Sequence, residues 1–351
     1  MRNLFLMILC LFFFQCNFSN EKSTAEENRN YVIGYIFLGR NTPTDIRWHT
    51  LTHLNVAFLY ANDDGTLSDS RISNSLKEIV DNAHRNNVKV IVSLRDDTEQ
   101  QLSKALINNR SILVDNLIRY AKENKLDGID FDFEGWRSEG IVPHVLAFAK
   151  EFHQKKPDNL LFTCAVNMFD RGYTTEWHTW FDVINVMTYD VHGPWNNEGQ
   201  HAPYEESLAA ITDFWMTKMG APASKLTLGL PFYGYSWNEG DRAGQAYTYE
   251  QILAKYPDMD VPNKDQIEHL YYNGKSTIKR KTQWAKEHIA GIMIWQIGGD
   301  AKSNEESLLE AIAEIMQKSF IKLILIIYET FIFIFKFSLF FTGFFRANKK
   351  D

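Results

Sequence analysis

From residue 31 onward, short runs of β-branched and aromatic residues alternate with stretches whose apolar residues recur every three or four positions. Eight runs predict strands, at 31–37, 51–60, 88–94, 126–134, 160–168, 183–190, 226–234 and 289–297. Between them the period lengthens to that of a helix. Leu76, Ile79, Val80 and Ala83 share one helical face, and Ser75 with Glu78 is spaced as a capping box. A last helix begins near Ser303, with Glu306 three places on, and carries Leu308, Ile312 and Ile315 on one side. Strand–helix alternation implies parallel strands joined by right-handed crossovers. Eight units within residues 31–318 suit an α/β fold of the (β/α)8 TIM-barrel type, for which about 250 residues is typical. An open doubly wound sheet is the rival, but GYIFLGRN after the first strand is no glycine-rich phosphate loop. The longest connection, Tyr235 to Tyr271, joins the seventh and eighth strands. It contains a short helical run at 249–256 and reads as a short insertion forming one wall of a cleft.

The two ends break this pattern. Arg2 is followed by an unbroken apolar run from Leu4 to Phe14 and then by a polar stretch from Asn17 to Asn30. Residues 1–16 therefore read as a signal segment and 17–30 as a linker, which places the domain outside the cytoplasm, secreted or in the cell envelope. The run is too short for a stable transmembrane helix. Cys16, at its end, resembles a lipoprotein site. Phe13, Phe14 and Gln15 depart from the small residues usual there, and cleavage further along is the competing reading. Residues 319–351 are dominated by Phe, Ile and Leu, interrupted by Lys322, Glu329 and Lys336. A membrane anchor, whose buried charges would be costly, a membrane-surface helix and a translation of AT-rich sequence past a lost stop codon all fit this tail, the last somewhat better, because Phe, Ile and Lys are residues of AT-rich codons. The barrel is complete without it.

Composition narrows the function classes. A net charge of −7 with no basic stripe argues against nucleic acid as a partner. Three cysteines (Cys10, Cys16 and Cys164) provide no disulfide framework, and Cys164, within an apolar strand, reads as a small buried hydrophobe. His53, His192 and His201 are scattered without ligand spacing, so neither a metal nor another cofactor is expected. The chain is expected to act as a monomer.

The chemistry concentrates in DGIDFDFE, Asp127 to Glu134. In a strand, alternate side chains share a face, so Asp130, Asp132 and Glu134 point one way, about 6.6 Å apart, and Ile129, Phe131 and Phe133 the other. In a barrel the acids face inward. Three such carboxylates repel one another and lose water, and at least one should be held neutral near pH 7. Glu134 is last in the strand and nearest the C-terminal face, where barrel active sites sit, which makes it the proton donor. A merely solvated strand would not alternate so strictly with Ile and Phe, and calcium sites draw on loop ligands and backbone carbonyls.

DGIDFDFE also matches the D-x-x-D-x-D-x-E pattern of glycoside hydrolase family 18, and three further stretches agree in order: VMTYDVHG (186–193), GLPFYGYSW (229–237) and GIMIWQIGGD (291–300). The chain thus resembles that family across about residues 31 to 318. The resemblance implies a chitinase-like hydrolase of β-1,4 N-acetylglucosamine linkages in chitin or chito-oligosaccharides, acting with retention through the substrate's own acetamido group. It implies that Glu134 is acid then base, that Asp132 orients the acetamido N–H, and that Asp130 lies beneath and shares its proton. Asp127, out of phase, holds the strand end. Tyr189 would bond the acetamido carbonyl, Asp190 a sugar hydroxyl, and Met187 would line the pocket. Trp295 would be the floor under the sugar, with Tyr35 and Phe58 near it. Trp195, Tyr233 and Trp237 fall where cleft aromatics are expected, plain packing being the alternative. One departure matters. The family's Ser-x-Gly-Gly reads Ser93, Leu94, Arg95, Asp96 here, so the loop at the cleft base and the substituents it admits are expected to differ. Two other functions stay open: an endo-β-N-acetylglucosaminidase acting on N-glycan cores, and a non-catalytic sugar-binding protein, against which Glu134 and Asp132 both argue.

Overall fold

A computed structural model describes residues 30–38, 46–134, 140–169 and 172–316. The signal segment, most of the linker, Cys16 and the apolar tail expected from the sequence lie outside these residues. Among the described residues no helix is long and apolar enough to cross a membrane.

Eight parallel strands close into a barrel. They are β1 (Tyr31–Phe37), β2 (His53–Ala61), β4 (Lys89–Arg95), β5 (Gly128–Asp132), β6 (Leu161–Asn167), β7 (Val183–Met187), β8 (Leu226–Pro231) and β13 (Gly291–Trp295). Neighbours pair in chain order, and β1 pairs with both β13 and β2, which closes the ring. The short β3 (Leu67–Ser68) adds antiparallel to the end of β2. All eight predicted runs are barrel strands, each within a few residues of the expected bounds. The (β/α)8 architecture follows.

Alternation sorts the strands' side chains into two cores. Ile129, Phe131 and Phe133 face outward into the layer between barrel and helices, where Phe131 meets Phe148 of the helix Val142–Lys155 at 4.9 Å between ring centres. Cys164 is buried in the same layer. Burying such rings stabilises the fold by roughly 2–3 kcal/mol each. The barrel interior holds a smaller cluster that includes Tyr31, Ile33, Tyr35, Tyr189 and Met293, with Met187, Tyr233 and Trp295 packed against it toward the mouth.

The expected Ser75–Glu78 capping box does not form. The helix starts at Ser73, so Ser75 already lies inside it. The turn before it satisfies the first amides, because Asp69 O accepts from Ser73 N and Ile72 O from Leu76 N. Near the last helix (308–316) Glu306 N does donate to Ser303 Oγ at 3.2 Å. The insertion between β8 and β13 is a small antiparallel sheet of β9 (Tyr233–Ser236), β10 (Gln245–Thr248), β11 (Gln266–Ile267) and β12 (Leu270–Tyr271), with the helix Tyr249–Lys255. Thr248 and Gln251 build a complete capping box for that helix. Gln200, on the loop after β7, donates to the carbonyls of Asp265 and Tyr272 and ties the insertion to the barrel mouth.

Candidate active site

The site rises from the barrel floor along β5. Asp130 is fully buried and stands in register with Ser93 of β4 and Thr163 of β6. Both hydroxyls donate to it, Ser93 Oγ to Oδ2 at 2.8 Å and Thr163 Oγ1 to Oδ1 at 2.5 Å, and Tyr35 Oη donates to Oδ2 at 2.8 Å. Asn185 Nδ2 donates to Tyr35 Oη at 3.3 Å, and Thr227 Oγ1 to Asn185 Oδ1 at 2.8 Å. Burial pushes the Asp130 carboxyl above its ordinary range, and the donors from Thr163, Ser93, Tyr35 and Asn185 oppose that. Among the described residues no hydrogen bond joins Asp130 to Asp132. Both Asp130 oxygens already accept hydroxyl protons.

One layer higher, Asp132 is 4% exposed and in register with Arg95. Its Oδ2 lies 3.7 Å from Arg95 Nη1, while Oδ1 is buried and meets no hydrogen-bond donor among the described residues. Desolvation first, then the charges of Glu134 and Asp130, hold the Asp132 carboxyl well above the usual range against the pull of Arg95. Burial and crowding thus disfavour the ionised form of Asp132. Glu134, past the last paired residue of β5, has a side chain 42% exposed and takes Arg95 Nη2 at 2.8 Å. Asp127 sits at the opposite strand end, where its Oδ2 accepts from Val90 N and from His84 Nε2.

Across the mouth, Tyr189 is buried and, among the described residues, its hydroxyl reaches only Met293 Sδ, at 3.7 Å, a weak acceptor. Burial and the charges of Asp190, Asp132 and Glu134 push that hydroxyl far above the ordinary tyrosine value, so it stays a donor. Gly229 makes room for the ring, since a Cβ there would lie 2.9 Å from Tyr189 Cε1 and 2.5 Å from Val186 O. Asp190 has a left-handed backbone (φ 67°) and accepts from Tyr233 Oη at 2.5 Å and Tyr235 Oη at 3.2 Å. Trp295 is half-buried at the end of β13 and stacks on Phe58 at 5.7 Å with 22° between the rings, and Tyr35 meets it edge-on. Tyr35 and Phe58 are themselves 2% and 3% exposed, so they support Trp295 and Asp130 from behind and offer a ligand no face. Met187 lies half-buried at the end of β7. Trp195, 57% exposed, packs edge-on against Tyr235, and Trp237 against Tyr271 of the insertion.

Two features were not expected. One is the hydroxyl and amide ring of Ser93, Thr163, Asn185 and Thr227 around Asp130. Its signal was present: a polar residue on the inward phase of each of these four apolar strands. The other is the course of the Ser93–Asp96 stretch. Asp96 turns away from the cleft and accepts from the backbone amides of Leu102 and Ser103 at the start of the helix Gln101–Asn108. Arg95 turns inward, its guanidinium 4.9 Å above the Phe58 ring.

A closed eight-stranded parallel barrel with graded carboxylates at its C-terminal mouth and a tryptophan floor has the layout of a carbohydrate-cleaving TIM-barrel enzyme. The sequence matches the profile of glycosyl hydrolases family 18 over residues 15–300, and the chain belongs to that family. It is similar to the crystal structure of a chitinase from Bacteroides thetaiotaomicron, with 34% identity and a TM-score of 0.75 over 82% of this chain and 96% of that one. A family 18 chitinase from the chitin utilization locus of Flavobacterium johnsoniae is 29% identical, with a TM-score of 0.72 over 83% and 94%. A chitinase-like effector of Moniliophthora roreri is 28% identical over 249 residues, 62% of this chain and 61% of the relative. The match to a probable chitinase of Drosophila melanogaster spans only 14% of that longer protein.

Proposed function

We propose that this glycoside hydrolase cleaves β-1,4 linkages between N-acetylglucosamine units of chitin or chito-oligosaccharides, with retention and with the substrate's acetamido oxygen as nucleophile. The buried, donor-free Oδ1 of Asp132 supports this reading best. An unmet acceptor in a closed pocket costs about 1–3 kcal/mol unless a ligand donor meets it, and an acetamido N–H is such a donor. Tyr189 Oη–H, bonded to the weak acceptor Met293 Sδ, would hold the acetamido carbonyl from the other side, so that its oxygen faces the anomeric carbon. Glu134 at the mouth would protonate the departing glycosidic oxygen, and then take a proton from the water that opens the oxazolinium ion. Trp295 would carry the apolar face of the sugar. The chitinases named above are consistent with this substrate class.

Incubation of the protein with chitohexaose and with a high-mannose glycopeptide, with products followed by NMR, tests the proposal. Chito-oligosaccharide products born as β-anomers are expected. Inverted product would exclude the acetamido mechanism, and cleavage of the glycopeptide alone would move the substrate to N-glycan cores. The apolar N-terminal run supports export of this enzyme, and mass spectrometry of its mature N-terminus tests that. An intact residue 1 would refute it, and a lipidated Cys16 would favour envelope anchoring.

A further inference from the structure

Glu134 lies beyond the paired part of β5, and its carboxylate has one partner among the described residues, Arg95 Nη2 on Oε1 at 2.8 Å. Arg95 is itself well anchored. Its backbone pairs in register with Asp132, its Nη1 faces Asp132 Oδ2 at 3.7 Å, and its guanidinium carbon lies 4.9 Å from the centre of the Phe58 ring, which in turn stacks on Trp295. A side chain set on a paired strand and held by Asp132 and Phe58 thus meets the end of Glu134. We propose that Arg95, standing where the family's Ser-x-Gly-Gly pattern has glycine, is a positioning residue for the proton donor Glu134. This rests on the hydrolase reading above.

The chemistry of the contact gives Arg95 a definite role. A guanidinium carries a permanent positive charge, so a proton on Glu134 is favoured on the oxygen that does not face it. When Glu134 carries its proton, that proton therefore sits on Oε2, and Oε1 remains with Arg95. Arg95 thus selects which oxygen of the acid faces the glycosidic bond. When the proton moves to the leaving oxygen, the C–O bond breaks and the carboxylate left behind already lies against a cation. Asp96, the other departure from the pattern, faces the helix at 101–108 and takes no part.

The test compares two leaving groups. A sugar alcohol leaves only with a proton supplied, whereas 4-nitrophenolate leaves without one. The ratio of kcat/KM for chitotetraose to that for 4-nitrophenyl chitobioside therefore reports how well the acid is placed. Arg95→Leu and Arg95→Gly should lower this ratio about tenfold or more, since misplacing a catalytic group by an ångström costs up to about a hundredfold. Arg95→Lys, which keeps a donor-only cation without the fork, should recover part of it. A general loosening of the pocket would depress both substrates alike. An unchanged ratio in the Leu and Gly variants of an active enzyme overturns this proposal alone. A wild-type protein inert toward both substrates overturns the hydrolase reading and this one with it.

Discussion

Asp130 and Asp132 stand two residues apart on one face of one strand, yet their surroundings differ in kind. On the floor, every Asp130 oxygen meets a hydroxyl donor, and those donors belong to a ring contributed by β1, β4, β6, β7 and β8. At the mouth, Asp132 has one oxygen near a guanidinium and one with nothing, and Glu134 leans on that same guanidinium. Satisfied polar groups rigidify a core, whereas an unsatisfied buried one raises its energy until a ligand arrives. The boundary between scaffold and site therefore falls within a single strand, between residues 130 and 132. The floor should govern stability and the mouth should govern rate.

The most severe test of that division is Glu134→Gln. The amide keeps the shape and removes the proton, so turnover should fall about a hundred- to ten-thousandfold. Oligosaccharide binding by calorimetry should survive. Thermal stability should stay within about 0.5 kcal/mol, as for other exposed substitutions. A variant that binds sugar and turns it over at the wild-type rate would remove Glu134 from the chemistry.

Asp130→Ala probes the floor and should do the reverse. It leaves the hydroxyls of Tyr35, Ser93 and Thr163 without their acceptor in a closed interior, a loss of about 2–4 kcal/mol in denaturant unfolding. Loss of activity without loss of stability would place Asp130 in the site, and the comparison would fail.

The sequence revealed the division unevenly. The alternation in DGIDFDFE was enough to turn the acids inward and Phe131 and Phe133 outward, because strand geometry fixes that phase whatever the neighbours. It could not separate Asp130 from Asp132, since the difference lies in Tyr35, Ser93 and Thr163 on strands distant in sequence, whose register only the closed barrel sets. The aromatics fared similarly. Trp295 is where a floor is needed, whereas Tyr35 and Phe58 are covered by it, and burial behind another ring leaves no trace in a single strand's pattern. The Ser75–Glu78 spacing failed for a local reason: the turn at 69–72 had already met the amides a cap would serve. Arg95 and Asp96 were legible as a departure, but the opposite directions they take depend on a helix start at 101 that can bind one carboxylate.

The finest test uses pH. Burial and like charge raise the Asp132 carboxyl well above its ordinary value of 3.8, while in the unfolded chain it returns to that value. The folded state then binds the extra proton, so the contribution of Asp132 to stability is fully present below about pH 3.8 and is lost as pH rises through the folded value. Asp132→Asn cannot titrate and escapes that loss. Asp300, also raised by burial and held by Ser307, Leu308 and Leu309, remains in both proteins and cancels in the difference. The stability of Asp132→Asn relative to wild type should therefore increase between pH 3 and pH 7. Paired urea titrations at the two pH values measure it. A difference that stays constant would mean that Asp132 is as well satisfied as Asp130, and the step from floor to mouth would have to be drawn at Glu134 instead.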